Sequence, residues 1–254
     1  MLPESALPPE LSAHPCSIPV YSRSFGSWRL SVDRSPFEPE VLAAYYDRKS
    51  RDWHHVIDRH GFELAYKQLI ERVMRQPRYR QDKGALRVLD AGIGTGAMSS
   101  ALCEYIGNPF QLDGIDISPA MLRQAELRLE HRGIDFTLKR ANLATLPYPD
   151  STFDVVLVAH VIEHLPNPQL ALDEMYRVLK PGGILICSVT RVSLLGAYVQ
   201  LIWRTHQVSL TKALRWFRGS GLKSVRAIPF DKRSVARRFS LGYVGRKPTF
   251  TQNR

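Results

Sequence analysis

The sequence predicts an α/β chain built on a doubly wound, mostly parallel sheet. Short apolar runs at residues 86–91, 112–117, 136–138, 155–159 and 184–189 read as strands. The intervals 95–106, 119–132 and 168–179 carry the three- and four-residue spacing of helices. A glycine-rich turn, Gly92-Ile93-Gly94-Thr95-Gly96, joins the first strand to the first of these helices. Repeated β-α units of this length need crossover connections and so a parallel sheet, which places a ligand crevice at the carboxyl ends of the strands.

The elements before the sheet are of two kinds. Residues 1–36 are rich in Pro and Ser without helical or strand periodicity, and they read as an irregular arm. From Phe37 the pattern turns helical, through Val41, Leu42, Tyr45 and Tyr46, then Trp53, Val56 and Ile57, then Leu64, Leu69, Ile70 and Val73. Two or more amphipathic helices therefore cap the core. A polar stretch with Pro77 and Gly84 as breakers links them to it, so the cap and linker occupy 37–84 and the core 85–250.

Composition narrows the class. With 254 residues, 44% hydrophobic and 23% charged, the chain can bury a sizeable core and is not disordered as a whole. Cys16, Cys103 and Cys187 lie far apart and form neither a disulfide framework nor a zinc motif. No run of 18 apolar residues occurs, and the first 20 residues hold five prolines and no Lys or Arg. A cytoplasmic protein is the expectation. The formal charge of +11 is concentrated at one end: residues 191–254 carry 14 Lys and Arg against one acid, whereas the first 190 carry 21 against 23. The basic character is thus a matter of partners rather than of the fold.

The chemistry begins at Asp90, which ends the first strand and enters the glycine turn, where bare backbone can approach a ligand. Alone this is ambiguous, since Gly92, Gly94 and Ala97 also fit the G-x-G-x-x-G/A dinucleotide pattern. The later order decides. Asp116 ends the second strand, where a carboxylate can accept two ribose hydroxyls. Asn142 then precedes Leu146-Pro147-Tyr148-Pro149-Asp150. The strand from Phe153 leads into His160-Val161-Ile162-Glu163-His164, and Arg177-Val178-Leu179-Lys180-Pro181-Gly182-Gly183 follows.

This series, over about residues 84–248, closely resembles the class I S-adenosylmethionine-dependent methyltransferases, particularly the branch of the ubiquinone and menaquinone biosynthesis enzymes. The resemblance implies a seven-stranded sheet ending in an antiparallel hairpin, at 222–230 and 239–245, with a helical insertion at about 191–219 and cap helices that act as a lid. It implies S-adenosylmethionine as cofactor. Asp90 would order the methionyl amino end with Gly92, Gly94 and Gly96 making room for it, and Asp116 would hold the ribose. Asn142 stands where many relatives have Asp to accept from the adenine amino group, and Ile117 and Leu143 would sandwich the adenine.

The implied acceptor is a small organic molecule such as a phenol, quinone precursor, lipid headgroup or secondary metabolite. His160 is the candidate base or orienting group, with Glu163 and His164 beside it; Tyr45 and Tyr46 are candidates for the acceptor pocket. One Glu-His pair is too few ligands for a metal, and none is expected. Asp154 reads as a structural residue at a strand start. Two readings compete: an RNA methyltransferase using the basic C-terminal region, and a non-catalytic cofactor-binding subunit. Against the first, no Asn-Pro-Pro-Tyr or Pro-Cys motif is present, and the basic residues alternate with strand-forming ones such as Val225 and Tyr243. Nucleic acid is not the expected partner; peripheral membrane contact and a homodimer stay open.

Overall fold

The computed structural model describes residues 18–34, 41, 44, 47, 61–79, 86–106, 110–193 and 208–249. Two strands, β1 (Ile18–Phe25) and β2 (Trp28–Arg34), pair as an antiparallel hairpin. Helix α1 (Phe62–Met74) precedes the sheet. Then come β3 (Leu86–Ala91), α2 (Ala97–Ile106), β4 (Phe110–Asp116), α3 (Pro119–Glu130), β5 (Asp135–Arg140), β6 (Phe153–Ala159), α4 (Pro168–Val178), β7 (Leu179–Thr190), α5 (Leu210–Gly219), β8 (Lys223–Ile228) and β9 (Ser240–Arg246). Seven of the strands form one sheet in the order β5-β4-β3-β6-β7-β9-β8. All its pairings are parallel except those of β9, which runs antiparallel to β7 and β8. The order reverses between β3 and β6, the place where such sheets open a crevice.

Strand β6 shows why the sheet is covered on both faces. Val155 and Leu157 enter one apolar cluster with α1, α2 and α3, while Val156 and Val158 enter another with α4 and α5. A continuous apolar run is what a strand buried on both faces requires. Helix starts are set by side-chain caps. Ser118, Asn167 and Ser209 accept from Met121, Gln169 and Lys212 backbone N–H groups, and Pro119 and Pro168 occupy first-turn positions where no N–H is needed. Helix α4 passes directly into β7, and its terminal carbonyls are taken by Lys247. Lys247 is 9% exposed, and its ammonium donates to the Tyr176, Arg177 and Leu179 oxygens at 2.9, 3.2 and 2.7 Å.

Helix α1 is clamped from two sides. Glu63 accepts from Ser100 Oγ on α2 and from Arg128 on α3, both at 2.6 Å, and pairs with Arg132. On the inner side Leu69 lies where a Cβ on Gly242 would be, 2.4 Å from its Cδ1, so β9 needs glycine for the helix to approach. No helix among the described residues is long and apolar enough to cross a membrane.

The structure corrects two expectations. Residues 18–34 of the supposed irregular arm are a hairpin. Gly26-Ser27, with Gly26 at φ +61°, makes the two-residue turn, and the alternating Trp28, Leu30 and Val32 follow it. Leu64, which helical spacing groups with Leu69, Ile70 and Val73 in an amphipathic repeat, is 60% exposed. Of the expected insertion at 191–219, residues 210–219 form α5 and 194–207 lie outside the described residues, as do most of the cap helices, although residues 41, 44 and 47 are helical.

Overpacking the α1–β9 contact should be costly. Gly242→Ala, whose methyl would also meet the Ile228 carbonyl oxygen at 2.9 Å, should lower stability by about 1–3 kcal/mol, read as a lower urea midpoint at unchanged slope.

Candidate functional site

Asp90 ends β3 with only 1% of its surface exposed, and its Oδ2 accepts a hydrogen bond from Ser99 Oγ at 2.6 Å. Burial pushes this carboxyl up to about 7; the Ser99 bond opposes the shift and the Asp116 charge adds to it. The turn that follows holds Gly92, Gly94 and Gly96 at φ +78°, +54° and +77°, a region costly for other residues. Gly92 has a second reason, since a Cβ there would lie 2.5 Å from Val161 Cγ2. A Cβ on Gly94 would meet nothing within 4 Å, so the turn faces open space at that point.

Asp116, at the end of β4, braces this turn from the side. Its Oδ2 accepts from the Gly94 N–H and its Oδ1 from the Ser118 N–H, each at 2.9 Å. Burial raises its pKa and these backbone donors oppose the rise. The next residue, Ile117, is half-buried and gives its carbonyl to Arg140 Nε at 3.1 Å. Asn142 is exposed, and its side-chain oxygen already accepts from the Ala144 N–H at 2.9 Å, closing its own turn. Leu143 beside it is buried. Tyr45 and Tyr46 lie outside the described residues. Asp47, the residue after them, accepts from Ser118 Oγ at 2.6 Å and from the Ala120 N–H at 3.1 Å, which brings the cap to the start of α3 beside Asp116.

Across the crevice, His160 follows β6 at φ +55°, a strained value for a residue with a side chain. Its N–H donates to the Ser188 oxygen at 2.8 Å. Both ring nitrogens have protein partners. Nδ1 lies 3.1 Å from Thr190 Oγ1 and 3.3 Å from Glu163 Oε1; Nε2 lies 3.1 Å from Ser188 Oγ and 3.3 Å from Ser240 Oγ. Phe62 packs edge-on at 5.7 Å. Glu163 is fully buried and accepts from the Thr190 N–H at 2.9 Å, while its Oε2 has no hydrogen-bond partner. Burial alone would raise its pKa, but the His160 bond and charge, with His164 and the Thr190 N–H, outweigh this and bring it to about 2. His164 does not join His160 in the crevice; it acts on Glu163 by charge, and its N–H donates to the Val161 oxygen.

Between the two halves, Tyr66, Asp90, Gly94, Met98 and His160 line a narrow cavity of about 40 Å³. Burial, then the Glu163 and Asp90 charges, push the Tyr66 phenol far up, so it stays a neutral hydroxyl. Tyr66, Ser188, Thr190 and Ser240 were not singled out in the sequence. The usable signals were the Phe62–Tyr66 aromatic pair four residues apart and the alternation of Ser188 and Thr190 at the end of β7. Asp154 is structural, as expected: its Oδ2 takes the Arg87 N–H and Lys180 Nζ at the start of β6, away from the crevice. Among the described residues no group of three or more His, Cys, Asp and Glu is placed to hold a metal.

The sign of the Asp90 shift makes a stability prediction. Below about pH 4 both folded and unfolded forms are protonated. Between about 4 and 7 only the unfolded form ionises, so the stability of the folded form falls, and above about 7 the penalty is complete. Asp90→Asn should therefore be the more stable protein at pH 8, by roughly 2 kcal/mol, with the advantage shrinking toward pH 4. Urea unfolding across this range measures it.

The "Methyltransferase domain" family model matches residues 89–187. Demethylmenaquinone methyltransferase of Geobacillus sp. (strain WCH70) is 31% identical over 172 residues, covering 62% of this chain and 71% of that protein. The Anoxybacillus flavithermus protein of the same name is 36% identical over 118 residues, 46% of this chain and 50% of its own length, so the chain spans about half of that relative. The ubiquinone/menaquinone biosynthesis C-methyltransferase UbiE of Hydrogenovibrio crunogenus is 38% identical over 119 residues, 44% of this chain and 46% of that one. Among solved structures, a SAM-dependent methyltransferase of Thermotoga maritima superposes with TM-score 0.63 at 19% identity, over 80% of this chain and 99% of that one, a likeness of fold. The match to the methyltransferase family model and the relative covered over 71% of its length place this chain in the class I S-adenosylmethionine-dependent methyltransferases, in the branch of the ubiquinone and menaquinone enzymes.

Proposed function

We propose that the chain transfers a methyl group from S-adenosylmethionine to a small organic acceptor, a quinone precursor first among the candidates. The observation that carries this reading is the pair of carboxylates, Asp90 and Asp116, flanking a glycine turn that is open above Gly94. The residues fit such a cofactor. Asp90, buried and raised to about 7, is the kind of acid that a cationic amino group would return to its ionised form. Asp116 is the acceptor for ribose hydroxyls, and Ile117 and Leu143 supply apolar surface for a purine. Asn142 adds its amide at the rim, with its oxygen partly committed to Ala144.

The bound cofactor supplies an electrophilic methyl group, and the protein's share is alignment and exclusion of water. Tyr66, delivered by α1, closes the crevice with its ring and one neutral hydroxyl, and Phe62 from the same helix packs against His160. His160 acts as a positioning residue. With four protein groups on its two ring nitrogens it holds the ends of β6, β7 and β9 together, and a ring so engaged has little freedom to take an acceptor proton. The names of the relatives support a quinone precursor as acceptor, and Ile93, Ala97 and Met98 give the crevice apolar surface that suits one.

Two measurements test this. Asp116→Ala removes two charge-assisted bonds worth about 1.5–3 kcal/mol each, so calorimetry with S-adenosylhomocysteine should show affinity lower by a hundredfold or more; equal affinity removes the assignment. For His160, the conservative His160→Asn should retain turnover within about tenfold with an unchanged pH profile, while His160→Ala loses about a hundredfold. Asn as poor as Ala, with a limb of the profile lost, would make His160 a base.

A further inference from the structure

Behind the wall formed by Tyr66 and Phe230, whose rings lie 6.5 Å apart, a second and much larger cavity opens on the outer side of α1. It measures about 1020 Å³ and runs between α1 and the β8–β9 connection. Its inner wall is apolar, with Ala65 and Phe230 buried and Leu64 and Val235 exposed by 60% and 39%. Its rim is basic: Arg72, Lys232, Arg233 and Arg237 face one carboxylate, Asp231.

Two of these cations shape the rim. Arg72 donates to the Pro229 oxygen at 2.7 Å and Arg237 to the Phe230 oxygen at 3.1 Å. Lys232 and Arg233 are exposed and enter no ion pair among the described residues, because Asp231 faces Arg72 at 3.9 Å and the Arg233 backbone N–H. In the wall, the Gln68 side-chain oxygen is buried with no hydrogen-bond donor.

We propose that this groove is a second binding site, for an acidic amphiphile whose anionic head lies on Lys232 and Arg233 and whose apolar chain lies along Leu64, Phe230 and Val235. Cations with no ion pair among the described residues, beside exposed aliphatic side chains, ask for both features in one ligand. A phosphate monoester, which as a monoanion keeps one P–OH beside its charge, also supplies the donor that Gln68 lacks. A nucleic acid fits less well. Strand binding relies on exposed aromatic platforms, and among the described residues the aromatic ring in the lining is that of Phe230, which is 2% exposed. The site is independent of the methyl-transfer reading, since nothing in it touches Asp90 or Asp116.

The test uses the full chain, wild type and Lys232→Glu/Arg233→Glu, with unchanged thermal unfolding as the check of fold. Calorimetry with dodecyl phosphate below its micelle concentration reports a free amphiphile. Co-sedimentation with phosphatidylglycerol vesicles, against phosphatidylcholine alone, reports a lipid surface. Binding in either arm that weakens at least tenfold in the double variant, and weakens again in Leu64→Ser/Val235→Ser, supports the site, and the arm that responds identifies the source. Absence of binding in both arms, equal binding by the charge-reversed protein, equal affinity for neutral vesicles, or tighter charge-dependent binding of transfer RNA would overturn it.

Discussion

The burial of one carboxylate governs the arrangement of the crevice. Asp90 sits at the carboxyl end of β3, flanked by β4 and β6, opposite Gly114 on one side and Leu157 on the other. Removing that charge from water is unfavourable, and Ser99 returns only part of the loss. The chain keeps it there because the neighbouring geometry leaves no slack. A Cβ on Gly114 would lie 2.5 Å from Ile93 Cδ1, so the turn after Asp90 folds back over β4 and fixes the acid beneath it. Gly92 and Ile93 N–H groups, both donating to the Ile115 oxygen at 2.8 Å, complete the lock. In the role proposed for Asp90, the cationic end of a ligand would supply the charge match that the fold leaves out.

The opposite side of the crevice is organised by a polar knot. His160 and Glu163 come from the turn after β6, Ser188 and Thr190 from β7, and Ser240 from β9, where it pairs with Thr190. The left-handed backbone at His160 is the strain these bonds maintain. Glu163 stays ionised without solvent because His160 faces it, so neither member can be removed without leaving the other exposed to the cost of burial.

Much of this was legible in the sequence where a signal is local. The runs at 86–91 and 155–159 are bounded by turn residues and too apolar to be anything but buried strands, and Asp90 and Asp116 declare themselves by ending strands before a turn. The antiparallel β9 was not legible from spacing; it followed from family likeness, since nothing in 239–245 states its direction. Ser240 escaped notice because it meets His160 across 80 positions, a contact that only the β7–β9 pairing creates. The hairpin at 18–34 is masked by the Pro- and Ser-rich composition around it, although the Gly26-Ser27 turn is its local signal. Asn142 was singled out by residue type, and the structure adds what type alone does not show, that the local turn takes one lone pair of that oxygen.

Leu64 is the instructive misreading. Helical periodicity places it near Leu69 and Ile70, yet Leu64, Gln68 and Arg72 recur at four-residue steps and form a stripe of their own along the large groove. Helix α1 therefore has three working faces. Tyr66 looks into the crevice with Phe62 packed on His160 beside it, Leu69 and Val73 enter the core, and Leu64, Gln68 and Arg72 border the groove. Because Glu63 fastens the helix to α2 and α3 and Leu69 fastens it to β9, it cannot shift toward one cavity without moving the wall of the other. Packed elements of this kind respond as units, so the shape of the crevice and the shape of the groove are set by the position of a single helix.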